Sequence, residues 1–126
     1  MIETLDRFLI AQDALYERAI KEIQEGKLSF ECWIRYIFPQ LKRSGTSKLT
    51  EFYGLNGREE AQEYINHPIL RERLIKVFQV LLDSNKSIYD VFSTLGVLKV
   101  KTCAILFSSI SDIPELKRLI QKYNWK

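Results

Sequence analysis

Apolar residues recur at three- and four-residue steps along most of this chain, the spacing of one face of an α-helix. Leu5, Phe8, Leu9, Leu15, Ala19, Ile20 and Ile23 form the first such stripe. They predict helix over residues 4–25, with Gly26 as the natural stop. Asp13 can cap a new helix, so this segment reads as one helix or two. The densest aromatic and branched-apolar run follows: Cys32-Trp33-Ile34-Arg35-Tyr36-Ile37-Phe38-Pro39-Gln40-Leu41. Ser29 is a suitable N-cap for it. At about 100° per residue, Trp33, Ile34, Ile37 and Phe38 share one face, and Cys32, Arg35 and Tyr36 the other. Pro39 lacks the N–H that a continuing helix needs and disfavours helical geometry at Phe38, so the helix ends there. A Trp and a Phe bury about 150–250 Å² each, which makes the first face an anchor for a core.

Beyond the proline, Thr46 or Ser47 can cap a short helix through Tyr53, and Gly54 and Gly57 bracket a turn. Residues 58–66 read as another short helix, with Glu59 and Glu60 favouring its first turn. His67-Pro68 opens a helix that runs to about Asp83, with Pro in the first position. Apolar residues wrap most of this helix, and Glu72, Lys76 and Gln79 form a narrow wet stripe. Arg73 lies at the edge of the apolar face, where it meets either a carboxylate or a ligand; an ion pair is the commoner case. Ser87-Ile88-Tyr89-Asp90 has the form of a capping box and starts a short helix ending near Leu95-Gly96. The stretch Leu98 to Ser109 is apolar nearly all round. Its β-branched content also suits a strand, but its length and its helical neighbours favour a central helix. Asp112 is the expected cap of a last helix, with Pro114 in its first turn and Leu116, Leu119, Ile120 and Tyr123 as its stripe. The expectation is an all-α fold: a single domain over residues 1–126, with about six to eight helices. The Trp33 helix and the Leu98–Ser109 helix are expected at its centre.

Composition narrows the class. A length of 126 residues suits one domain, since domains most often run to about 100–150. A hydrophobic content of 46% excludes a disordered chain. The longest uncharged apolar stretch, Thr102 to Ser111, falls far short of the roughly 20 residues that span a bilayer. Glu3 and Asp6 stand where a secretory signal would carry basic residues, so none is expected. Cys32 and Cys103 do not make a disulfide framework, and both are expected as thiols in a reducing cytoplasm. The net charge of +3 is spread among interleaved acids, and no nucleic-acid-reading motif is visible. One His and two Cys show no zinc-ligand spacing, and no Gly-rich phosphate loop is present, so neither metal nor cofactor is expected.

Trp33, the run Ile37-Phe38-Pro39-Gln40-Leu41, and Gly45-Thr46-Ser47 resemble the signature of the family called domain of unknown function 1810, sometimes labelled calpastatin. Glu59-Glu60-Ala61, Tyr64, His67-Pro68-Ile69-Leu70, Arg73-Leu74, Phe92, Lys99 and Leu106-Phe107 continue the resemblance over nearly the whole chain. It implies a compact, mainly helical domain and no settled activity. The chain departs from the family's usual pattern at Cys32, where His is usual, and at Arg35, where a second Trp is usual. It departs again at Val97, where Asp is usual, and over Thr102-Cys103-Ala104-Ile105, where a Ser-Ser-Met-Thr run is usual. Two of these positions lie on the minor face of the Trp33 helix, so catalysis by a family His is not carried over.

As an enzyme the chain has few candidates. His67 sits at a helix start, and Cys32 near Arg35 is either a thiolate favoured by the cation or an inert thiol. A binding module fits better. Arg35, Tyr36, Gln40, Ser47, Arg73 and Lys99 supply cations, hydroxyls, an amide and a ring. Such groups suit a phosphorylated or nucleotide-like anion held without turnover, with Arg as a bidentate fork and Tyr by stacking. The alternatives are a protein-interaction module, using the basic loop Lys42 to Lys48 and the C-terminal Tyr123-Asn124-Trp125, and a small enzyme.

Overall fold

The structure, a computed structural model, describes residues 5–26, 34–42, 48–84 and 87–125. Eight helices run in order through them. The first, α1 (Asp6–Glu25), is unbroken at Asp13, because the apolar stripe continues on both sides of it. Gly26 closes it in the left-handed conformation, φ 66°, with its N–H directed at the carbonyls of Glu22 and Ile23. α2 (Ile34–Ile37) is a single turn that ends before Pro39. α3 (Lys48–Phe52) and α4 (Gly57–Asn66) are joined by Tyr53 to Asn56, where Leu55 makes a parallel bridge to Leu41. That bridge brings the backbone of Lys42 so close to Gly54 that a Cβ there would sit 2.6 Å from the Lys42 Cα.

α5 (Pro68–Asp83) begins with Pro in its first turn, and its N-cap is His67, whose Nδ1 accepts from the Leu70 N–H. α6 (Ile88–Val91) and α7 (Thr94–Ser109) are capped by Ser87 and Ser93. The break between them falls at Phe92-Ser93, earlier than Leu95-Gly96, because the Ser93 hydroxyl accepts from the Gly96 N–H and draws that glycine into α7. α8 (Pro114–Lys122) has Ile113 at its N-cap position and no side-chain cap, so Asp112 does not serve. It ends in a left-handed residue, Asn124 at φ 54°. The Trp125 N–H then returns to the Ile120 carbonyl and the Asn124 N–H to that of Gln121, a Schellman closure with Asn in place of Gly.

α5 is the hub of the core: α1, α4 and α8 all pack on it, while α7 lies against α8 and α6. The expected centre is therefore corrected in part. α7 buries Val97, Val100, Cys103, Ala104 and Phe107, but it leaves Leu95 and Leu98 exposed. Ile34, Ile37 and Phe38 are buried as predicted, and the Phe38 ring meets Phe78 and Phe92 edge-on. Trp33, expected beside them, lies outside the described residues, as do Ser29, Cys32 and the loop residues Arg43 to Ser47. Among the described residues no helix is long and apolar enough to cross a membrane.

Candidate functional site

Gln12 occupies the middle of the α1 stripe, four residues after Phe8, and is almost wholly buried. An amide in that position must be hydrogen-bonded or it costs stability. Its Nε2 donates to the Tyr36 carbonyl at 2.7 Å and to the Tyr64 hydroxyl at 3.0 Å. A carbonyl can only accept, so this end of the amide must be the nitrogen. The oxygen is thereby turned to α5, where it accepts from Arg73 Nη1 at 3.4 Å. The other Arg73 nitrogen, Nη2, meets Asp13 Oδ1 at 2.7 Å. The guanidinium carbon stands 5.7 Å from the Tyr16 ring centroid, in cation–π range, and the Tyr16 hydroxyl donates to the Arg73 carbonyl at 2.6 Å.

The seam has a dry inner end and a wet outer end. Burial pushes the Tyr64 phenol well above its usual range, against the opposing hydrogen bond from Gln12. Burial also pushes Tyr16 up to about 12, opposed by the charge of Arg73 and aided by that of Glu72. At the outer end the Arg73 side chain is 25% exposed and that of Asp13 is 66% exposed. The guanidinium is thus fixed from inside, by an amide that is itself fixed, and is met from outside by a carboxylate that stands mostly in water.

A second polar cluster lies nearer the start of α1. Arg7, 3% exposed, grips Glu60 with two nitrogens, Nη2 to Oε1 at 2.7 Å and Nη1 to Oε2 at 3.2 Å. Its Nε donates to the Phe52 carbonyl at 2.8 Å and its Nη2 to that of Gly54 at 2.9 Å. The Asn56 N–H completes the Glu60 shell at 2.9 Å. Burial alone would raise the Glu60 carboxyl; the bonds from Arg7 and Asn56, with the Arg7 charge, outweigh it and hold the group below its usual range. This cluster clamps α3 and its following loop to α1 and α4. Every polar group in it is committed to the fold.

The residues expected to bind a ligand are not all brought together. Arg73 lies in the seam, and Tyr36 reaches it through its backbone carbonyl, both joined by Gln12. The Tyr36 side chain, expected on a minor face as a stacking platform, is instead buried, with its ring 5.0 Å from that of Tyr53. Arg35, its neighbour on the same turn, stays half-exposed, so the two are not presented alike. The Gln40 carbonyl accepts from the Leu55 N–H beside the Leu41 bridge. Arg35 and Lys99 are half-exposed on α2 and α7. Ser47 lies outside the described residues. Of the reactive candidates, Cys32 lies outside the described residues; the other cysteine, Cys103, is in the core, where burial pushes its thiol up and away from the nucleophilic thiolate. His67 is engaged as a helix cap through Nδ1.

Together these features define a helical protein whose described residues include two internal polar clusters, one sealed and one reaching the surface. Residues 2–125 match the family described as a protein of unknown function, DUF1810, and the chain belongs to that family. Among solved structures it is similar to the crystal structure of the conserved hypothetical protein Rv1873 from Mycobacterium tuberculosis. The two are 31% identical with a TM-score of 0.86, over 94% of this chain and 85% of that one. The curated proteins include no match.

Proposed function

We propose that this protein binds an anionic small molecule, phosphorylated or nucleotide-like, in the cytoplasm and holds it without turnover, at the outer end of the α1–α5 seam. The observation that carries this reading is the setting of Arg73. Its guanidinium is preorganised by Gln12 and Tyr16, and its solvent-side partner is the exposed carboxylate of Asp13. A preorganised, partly exposed guanidinium loses little side-chain entropy on meeting a phosphate or carboxylate and offers it a planar fork. Asp13 holds one arm of that fork, Nη2, as an internal stand-in for the ligand and gives way to it. An exposed ion pair contributes only about 0.2–1 kcal/mol, so exchanging it for a doubly charged phosphate costs little. Cys103 and Tyr64, both held neutral by burial, supply no nucleophile to this site.

Thermal shifts against a panel of nucleotides, phosphorylated metabolites, inorganic phosphate and sulfate test the reading. A ligand that binds the native state raises the melting temperature of wild type as its concentration exceeds its Kd. The expected result is stabilisation of wild type by a member of the panel, lost in Arg73→Ala. Arg35→Ala and Lys99→Ala report whether those cations belong to the same site. If nothing in the panel stabilises wild type, the Arg73–Asp13 pair is structural and the reading fails.

A further inference from the structure

α7 is apolar around nearly its whole circumference, yet the fold covers only part of it. Leu95 is 69% exposed and Leu98 is 53% exposed. Thr102, also exposed, continues them at the next helical step, so the three make one stripe along α7. The Thr102 hydroxyl donates to the Leu98 carbonyl at 2.9 Å, which satisfies its polar group on the helix itself and leaves its methyl as the group the stripe gains.

Cations border this stripe. At about 100° per residue, Lys101 falls about 60° to one side of Leu98 and Lys99 about 40° to the far side of Leu95. Both are half-exposed. At the C-terminal end, exposed Arg58 of α4 reaches the Ser109 hydroxyl at 3.4 Å. An apolar strip one helix wide, with three-and-four spacing and positive edges, is complementary to one kind of surface.

We propose that the Leu95–Leu98–Thr102 face of α7 docks an acidic amphipathic helix of another protein. The partner's apolar side chains lie on the stripe, and its Asp and Glu residues lie over Lys101 and Arg58. The charges argue against a second copy of this chain, because a two-fold contact on this stripe sets cations against cations. A membrane surface is disfavoured by the stripe itself, which offers two leucines and no aromatic side chain for the interface.

The test uses a fluorescently labelled helical peptide with Leu at its apolar positions and Glu on both flanks, and the same peptide with Lys in place of Glu. Anisotropy is expected to show the acidic peptide binding wild type and the basic one not. Leu95→Asp and Leu98→Asp are each expected to weaken binding by about tenfold or more. Both sites are exposed, so circular dichroism and the denaturation midpoint should stay at wild-type values, which separates lost docking from lost folding. The double variant Lys101→Glu, Arg58→Glu is expected to shift preference toward the basic peptide. Failure of the acidic peptide to bind, equal binding of both peptides, or unchanged binding by the Leu→Asp variants would overturn the proposal. So would tighter binding to phosphatidylserine vesicles than to the peptide, or a sedimenting dimer that Leu95→Asp dissociates.

Discussion

Removing Arg7 tests the physical account of the fold at its most committed point. In Arg7→Ala the Glu60 carboxylate, whose side chain is only 11% exposed, loses both guanidinium bonds and keeps those from Asn56. The carbonyls of Phe52 and Gly54 lose their donor as well. Breaking a buried ion pair by removing one partner costs about 3–5 kcal/mol, because the other charge is left without compensation. Against a total stability of about 5–15 kcal/mol that is a large share, so the variant should fold but melt early. Glu60→Gln should cost less, since the amide oxygen can still accept one bond. The double variant Arg7→Ala, Glu60→Leu should lose clearly less than the sum of the single Arg7→Ala and Glu60→Leu changes, because the two groups act on each other. Equilibrium urea denaturation followed by circular dichroism measures all four. A loss of less than about 1 kcal/mol in Arg7→Ala, or strict additivity in the double variant, would refute the reasoning.

Gly54→Ala should destabilise by about 1–3 kcal/mol, because its Cβ would meet the backbone Cα of Lys42 at 2.6 Å, and backbone cannot swing aside; a denaturation midpoint equal to wild type would contradict this. Stability should also depend on pH at both extremes. Glu60 is held below its ordinary 4.5, so its contribution is present above that value and is lost as pH falls below it, and Glu60→Gln should flatten that acid limb. Tyr16 is raised from 10.0 to about 12, so the folded state keeps a proton that the unfolded state loses; stability should fall as pH rises through that interval, and Tyr16→Phe should reduce the fall.

The helical architecture was legible because its boundaries are written in single residues. Gly26 stops α1, Pro39 follows the end of α2, and His67-Pro68 opens α5. Where two neighbouring residues compete for a boundary, local chemistry misleads: Ser93 rather than Gly96 sets the α6–α7 break, and Ile113 rather than Asp112 takes the last cap position. Tyr36 is buried rather than set on an open face because its ring packs beside that of Tyr53, a contact between separate segments that no helical periodicity encodes. The polar seam was only partly visible. Gln12 interrupts the α1 stripe between Leu9 and Leu15, and an amide among apolar positions was the available signal. Arg73, at the edge of the α5 apolar face, signals either a carboxylate or a ligand. Arg7 gave no local sign, since its partner Glu60 lies 53 positions away and looks like an ordinary first-turn glutamate. Pairing over such distances is fixed by the way α1 crosses α4, which no local pattern encodes.

The binding reading stands on Asp13 being a stand-in for the ligand at Arg73, and titration calorimetry tests that directly. The panel member that most stabilises wild type is titrated into wild type, Asp13→Asn and Arg73→Ala. Releasing the guanidinium from an exposed pair of about 0.5–1 kcal/mol should tighten binding about two- to five-fold in Asp13→Asn, while Arg73→Ala should abolish the heat of binding. Binding that is unchanged or weaker in Asp13→Asn, or that survives in Arg73→Ala, would contradict the account.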